Sequence, residues 1–148
     1  ILFGGLGFAL FGALHHWFPK MFGRMYHQLP SKIAWALVTV GFNVLCAPMF
    51  ILGWDGMPRR YYDYLPQYTF WHQVSTVGSW IMIAGILTML INLLHSIKNG
   101  KVCKDPNPWG GGRTLEWTVP SPPPLENFRE VPVVNRGPYD LEPAMEHK

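Results

Sequence analysis

Three uninterrupted apolar blocks, separated by short polar stretches, dominate the chain up to Lys101. The first, Ile1 to Phe18, reads ILFGGLGFALFGALHHWF. The second, Ile33 to Trp54, reads IAWALVTVGFNVLCAPMFILGW. The third, Val74 to Ile97, reads VSTVGSWIMIAGILTMLINLLHSI. None of the three contains Asp, Glu, Lys or Arg, and each is near the roughly 20 residues that a helix needs to cross a bilayer. Three buried core helices of this kind in so short a chain are the weaker reading, so the pattern predicts three transmembrane helices, about 1–18, 33–54 and 74–97. Aromatic residues mark the ends of the blocks (Trp17 and Phe18, Trp35 and Trp54, Trp71 and Trp80), as expected at membrane interfaces. Pro19 is expected to stop the first helix, because proline cannot continue the hydrogen-bond ladder, and Pro48 to kink the second.

Beyond Lys101 the pattern changes. The last 47 residues hold nine of the fourteen prolines, including Pro122-Pro123-Pro124. This predicts an irregular tail over 102–148, polar and extended, not a domain of its own and ordered only against a partner surface.

Composition supports a membrane protein. Only 14% of the 148 residues are charged, against roughly 25% in a soluble domain. Mean hydropathy is near zero, so part of the chain lies outside the bilayer. The net charge of +3 is too small and scattered for nucleic-acid binding. Its placement carries more information. With three spans, Lys20, Arg24, Lys32, Lys98, Lys101 and Lys104 share one side, and only Arg59 and Arg60 fall on the other. The positive-inside rule then puts the tail in the cytoplasm or an organelle's matrix. Cys46 lies in an apolar run and Cys103 in a Lys-rich one, so no disulfide is expected, and no Cys-x-x-Cys pair offers a metal site. No signal peptide is recognised. The chain starts at Ile1, without Met and already inside an apolar block, and is expected to be a piece of something longer.

Few residues offer chemistry. The sharpest feature is Arg59-Arg60, framed by Gly56, Pro58 and tyrosines. Arginine stays charged at physiological pH, so the pair needs water or a lasting anionic partner. A rigidly held guanidinium pair suits bidentate binding of carboxylates, such as a pair of heme propionates. Topogenic charges touching lipid phosphates are the other reading, and the residues alone leave both open. His15 and His16 point about 100° apart on a helix and do not converge on one ion. Ser75, Gly78, Gly85, Thr88 and Asn92 form one small, polar helix face, expected to pack on another helix, and Asn43 is expected to make an interhelical hydrogen bond. No carboxylate or lysine lies at membrane depth, so the segment has no proton path of its own. No catalytic residue and no metal ligand set is identified.

Several of these stretches together resemble one family. Leu52-Gly53 with Gly56-Met57-Pro58-Arg59-Arg60-Tyr61 and Asp63-Tyr64 resembles subunit I of the heme-copper oxidases, of the cytochrome c oxidase type. His16-Trp17-Phe18-Pro19 is similar to the end of that family's tenth helix, and Gly41-Phe42-Asn43 with Pro48 to its eleventh. Pro108-Trp109-Gly110-Gly111 through Leu115-Glu116-Trp117, and Pro122-Pro123-Pro124-Leu125-Glu126-Asn127-Phe128, are similar to its C-terminal signature. The likeness covers nearly the whole chain, in order.

The resemblance implies an all-α membrane protein, the last three helices of a twelve-helix subunit I bundle plus its Pro-rich tail. It implies reduction of oxygen to water coupled to proton pumping, in a respiratory chain. The implied cofactors are a low-spin and a high-spin heme, of the a type, and copper. Arg59 and Arg60 would bind heme propionates, while the axial and copper ligands would fall ahead of Ile1. The fragment alone would then be inactive. The implied partners are the remainder of subunit I, subunits II and III, cytochrome c as electron donor and membrane lipid, in a bacterial or mitochondrial inner membrane. Two departures stand out. Phe50 replaces a histidine common in relatives, and Asp55 adds an acid near the arginines. A quinol-oxidising member of the superfamily is an alternative, although Pro58 favours cytochrome c. A non-catalytic packing or assembly subunit is another.

Overall fold

The computed structural model describes residues 2–128, 131–133 and 137. It is mostly helical and divides into two compact units, Ile1–Tyr26 with His95–Lys148, and His27–Leu94.

The first unit opens with a π-helical stretch, Leu2–Gly7, which passes into helix α1, Phe8–Phe22. The first apolar block is therefore not one regular α-helix. Gly4, Gly5 and Gly7 weaken the α-helical preference there and let the wider turn form. The expected stop at Pro19 is also corrected, because α1 runs on to Phe22. A proline removes one hydrogen bond of the ladder without forbidding the next turn. The helix ends at Gly23, whose φ of 62° suits glycine and whose N–H donates to the Pro19 carbonyl.

Past Gly23, strand β1 (Arg24–Met25) pairs antiparallel with strand β2 (Lys101–Val102), in the register Arg24 with Val102. Cys103 N–H extends the pairing to the Gly23 carbonyl. The tail then folds against the end of α1. Trp109 Nε1 donates to the His16 carbonyl at 2.8 Å, and Ser121 Oγ to the Asp105 carbonyl at 2.9 Å. Phe18, Pro19, Trp117, Val119 and Ser121 are buried in this unit. The surface that the expected tail of 102–148 meets is, up to Ser121, the end of the chain's own α1, and its last residues lie largely outside the described residues. The tail's prolines leave only the strand end at Val102 and a 3-10 turn at Leu115–Thr118 as regular structure, and its tryptophans and carbonyls dock on the chain's own α1 end.

The second unit is an antiparallel helical hairpin. Helix α2, Gln28–Trp54, starts five residues before its apolar block. Pro30 falls in its first turn, where the missing N–H would have had no helical acceptor. Helix α2 continues through the buried Pro48. Helix α3, Thr69–Asn99, follows a short 3-10 turn at Pro66–Tyr68 and ends in the first unit. At 1.5 Å per residue these two helices are about 40 and 46 Å long, more than the ~30 Å hydrocarbon core. Among the described residues these two are long and apolar enough to cross a membrane.

The hairpin closes through the small, polar face of α3. A side chain at Gly78 would strike the backbone of Val44 and Leu45, and one at Gly85 would lie 2.8 Å from Val38. Gly41 on α2 meets the Met82 backbone in the same way. Ser75 Oγ donates to the Leu45 carbonyl at 3.1 Å. Asn92 Nδ2 donates to the His27 carbonyl at 2.9 Å and to Ser31 Oγ at 2.8 Å. Small residues and buried amides of this kind hold helices together where no water competes. One expectation fails, that of an interhelical hydrogen bond from Asn43. Thr88 Oγ1 and Asn43 Nδ2 donate to the carbonyls of Ala84 and Thr39, four residues back on their own helices. That acceptor is always within reach of a short polar side chain on a helix.

Candidate functional site

The arginine pair sits on the connection that follows α2. Its geometry starts from how α2 ends. Gly56 adopts φ 82°. Its N–H donates to the Gly53 carbonyl at 3.3 Å, and the Met57 N–H to the Leu52 carbonyl at 3.0 Å. These two bonds form a Schellman motif, which closes the helix with glycine at the left-handed position. Pro58 then fixes its own φ and cannot rejoin the ladder. Two residues on, Arg60 stands at φ 57°. A residue with a Cβ rarely takes that conformation, so the turn is specifically shaped.

Arg59 and Arg60 are both exposed. Among the described residues, neither guanidinium has a hydrogen bond or ion pair. Two carboxylates lie close in sequence, yet neither neutralises them. Asp63 Oδ1 accepts the Tyr64 N–H at 2.8 Å. The Asp55 backbone carbonyl accepts a bond from Tyr68, whose buried ring ties the start of α3 to the end of α2, with Oη donating at 3.1 Å. Two adjacent cations with no partner among the described residues, just past a glycine-capped helix end, can receive an external anion with more than one oxygen.

The sequence pattern gives no reason to single out His72. In the structure it lies behind the turn. Its ring is 4.3 Å from that of Tyr64 and 5.7 Å from that of Tyr61, and the two tyrosines meet edge to face at 5.9 Å. The signal for this cluster was weak: two tyrosines three apart in a loop, and a histidine in the first turn of a helix.

A second polar constellation lies in the first unit. Lys20 is buried, its Nζ donating to the carbonyls of Pro106, at 3.0 Å, and Val119, while lying 5.5 Å from the centre of the Trp117 ring. Burial lowers its pKa from the ordinary 10.5, opposed by the charges of Glu116, Asp105 and Cys103. Burial likewise raises the pKa of Tyr26, whose ring meets the edge of His15 at 4.8 Å. His15 Nδ1 donates to the Phe11 carbonyl at 2.7 Å, whereas the His16 ring stacks on Trp109 and meets Trp117. The histidine pair is thus spent on separate contacts. No group of three or more metal-ligating side chains occurs among the described residues, and Cys46 and Cys103 are both free.

The arrangement can bind, orient and neutralise an anion. It holds no nucleophile beside a base. The fit to a pair of carboxylates is good, because two guanidiniums stand adjacent and uncommitted. The family model described as Cytochrome C and Quinol oxidase polypeptide I matches residues 1–97. Curated relatives agree. A cytochrome c oxidase subunit 1 of Thermostichus vulcanus is 44% identical over 140 residues, covering 95% of this chain and 25% of that protein. The protein of the same name from Bacillus subtilis is 40% identical over 153 residues, covering 100% of this chain and 24% of its own length. One from Synechocystis is 41% identical over 141 residues, 95% of this chain and 25% of that protein. The chain spans about a quarter of the length of these relatives.

Proposed function

The chain belongs to the cytochrome c and quinol oxidase polypeptide I family, and from that premise we propose that it serves as the last three helices and tail of the catalytic subunit of a cytochrome c oxidase. The reaction is the reduction of oxygen to water, coupled to proton pumping. The rest of subunit I, in a twelve-helix bundle, carries the ligands to iron and copper, and subunits II and III complete the complex. The names of the relatives favour cytochrome c over quinol as the donor.

Within that enzyme, Arg59 and Arg60 hold the propionates of the hemes, which are of the a type. The observation that carries this reading is the pair of uncommitted guanidiniums on a capped turn. Heme supplies the electron transfer when bound. The chain's own part is electrostatic. Carboxylates at the edge of a membrane bundle lose hydration, and an arginine that meets them bidentately replaces it. Fixed positive charge nearby also favours the electron-rich, reduced state of the iron, because opposite charges interact strongly where the local dielectric is low.

The test is Arg59→Gln with Arg60→Gln in the full-length subunit. The potential of the low-spin heme falls and electron transfer to the high-spin heme slows, while membrane insertion is retained. Spectroelectrochemical titration reads the potential, and an unchanged value would end the propionate assignment.

A further inference from the structure

The turn that presents the arginine pair does not hold itself. Arg60 stands at φ 57°, a conformation that persists where the surroundings over-determine it. Among the described residues no backbone hydrogen bond closes the loop over residues 58–63. Rings meet it instead. Tyr61, next to Arg60, lies 5.9 Å from Tyr64 at 89° and 5.7 Å from His72. Tyr64 lies 4.3 Å from His72 at 39°. His72 differs from the two tyrosines in its support. It belongs to α3, whose start is pinned by Tyr68 to the Asp55 carbonyl at 3.1 Å. A ring on a pinned helix can serve as a post for rings on a loop.

We propose that His72 is a positioning residue for the Arg59-Arg60 pair, its ring holding Tyr61 and Tyr64 and so keeping Arg60 left-handed and both guanidiniums turned to their anion. The inference rests on reading the pair as a carboxylate site. It assigns the work to the ring and not to a nitrogen. His72 Nε2 is buried with no partner, and among the described residues no hydrogen bond engages the imidazole. What it does make is ring contacts.

The experiment compares His72→Ala, His72→Phe and the double arginine variant in the assembled oxidase, reading the potential of the low-spin heme. His72→Ala is expected to lower it in the same direction as the arginine variant, and by less. His72→Phe keeps a flat ring and stays at the wild-type value. Placed on the double arginine background, His72→Ala adds no further shift. A wild-type potential in His72→Ala, beside a shifted arginine variant, overturns the proposal alone. A shift in His72→Phe as large as in His72→Ala also overturns it, because the nitrogen would then be the active part. No shift in the arginine variant removes the carboxylate reading, and the proposal with it. Should His72→Ala not assemble, Tyr61→Leu replaces it and Tyr61→Phe is its conservative partner, with the same expectations.

Discussion

Lys20 illustrates what a single side chain gains from its place in the fold. In the sequence it is one of several positive charges beside an apolar block, and the topology rule accounts for it fully. In the structure its ammonium is withdrawn from water and shared by the carbonyls of Pro106 and Val119. Lys20→Met keeps the stem and removes the donor, leaving two carbonyls short of a partner at about 1–3 kcal/mol for a buried group. Hydrogen exchange across residues 103–121 of the intact oxidase is expected to quicken, and unchanged protection would show that the tail docks by its tryptophans alone. The pH dependence has a definite sign. Burial lowers the Lys20 pKa, so Lys20 holds its proton more tightly with the tail undocked than docked. Docking therefore strengthens as pH rises from the lowered value towards 10.5, which exchange rates measured across that window can check. The arginines were legible at this scale because arginine between glycine, proline and tyrosines is unusual beside an apolar run. His72 was not, since its contacts come from residues 8 and 11 positions away, across a turn whose path the sequence does not specify.

Between elements, the hairpin of α2 and α3 rests on backbone approach. At Gly78 an added methyl would overlap the main chain of Val44 and Leu45, which cannot rotate aside. Gly78→Ala is expected to destabilise the pair by about 1–3 kcal/mol, the usual range for overpacking a close contact. The thermal midpoint of the solubilised subunit should fall, and an unaltered midpoint would mean that the two backbones stand further apart. The spacing of Ser75, Gly78, Gly85 and Asn92 made this face visible in advance, because one helical stripe of small residues has few other uses. The two mid-helix asparagines were not separable by the same means. Asn92 crosses to His27 and Ser31, whereas Asn43 turns back to Thr39. Both acceptors are chemically alike, and only the neighbouring helix's position selects between them.

For the whole molecule, the membrane orientation is the open consequence of the charge distribution. The positive-inside rule predicts the tail on the cytoplasmic or matrix side and, with three spans, the arginine turn on the other side. With Cys46 and Cys103 replaced, a cysteine at Tyr62 or at Lys104 distinguishes the faces, since both positions are exposed. An impermeant maleimide added to right-side-out vesicles is expected to label Tyr62→Cys and to spare Lys104→Cys. The opposite pattern would invert the topology and remove the arginines from the outer face.

The order of apolar blocks, the uncharged spans, the glycine and proline that shape the arginine turn, and the likeness to a known family are all properties of local sequence. They follow from transfer free energies and backbone sterics, which depend on residue type and short spacing. The docking of the tail, the burial of Lys20 and the ring post at His72 depend on which distant segments meet. Proline-rich composition limits regular structure but says nothing of the surface that a tryptophan or carbonyl will find. That choice was made by the end of α1, where Gly23 turns the chain and Lys20 supplies the donor.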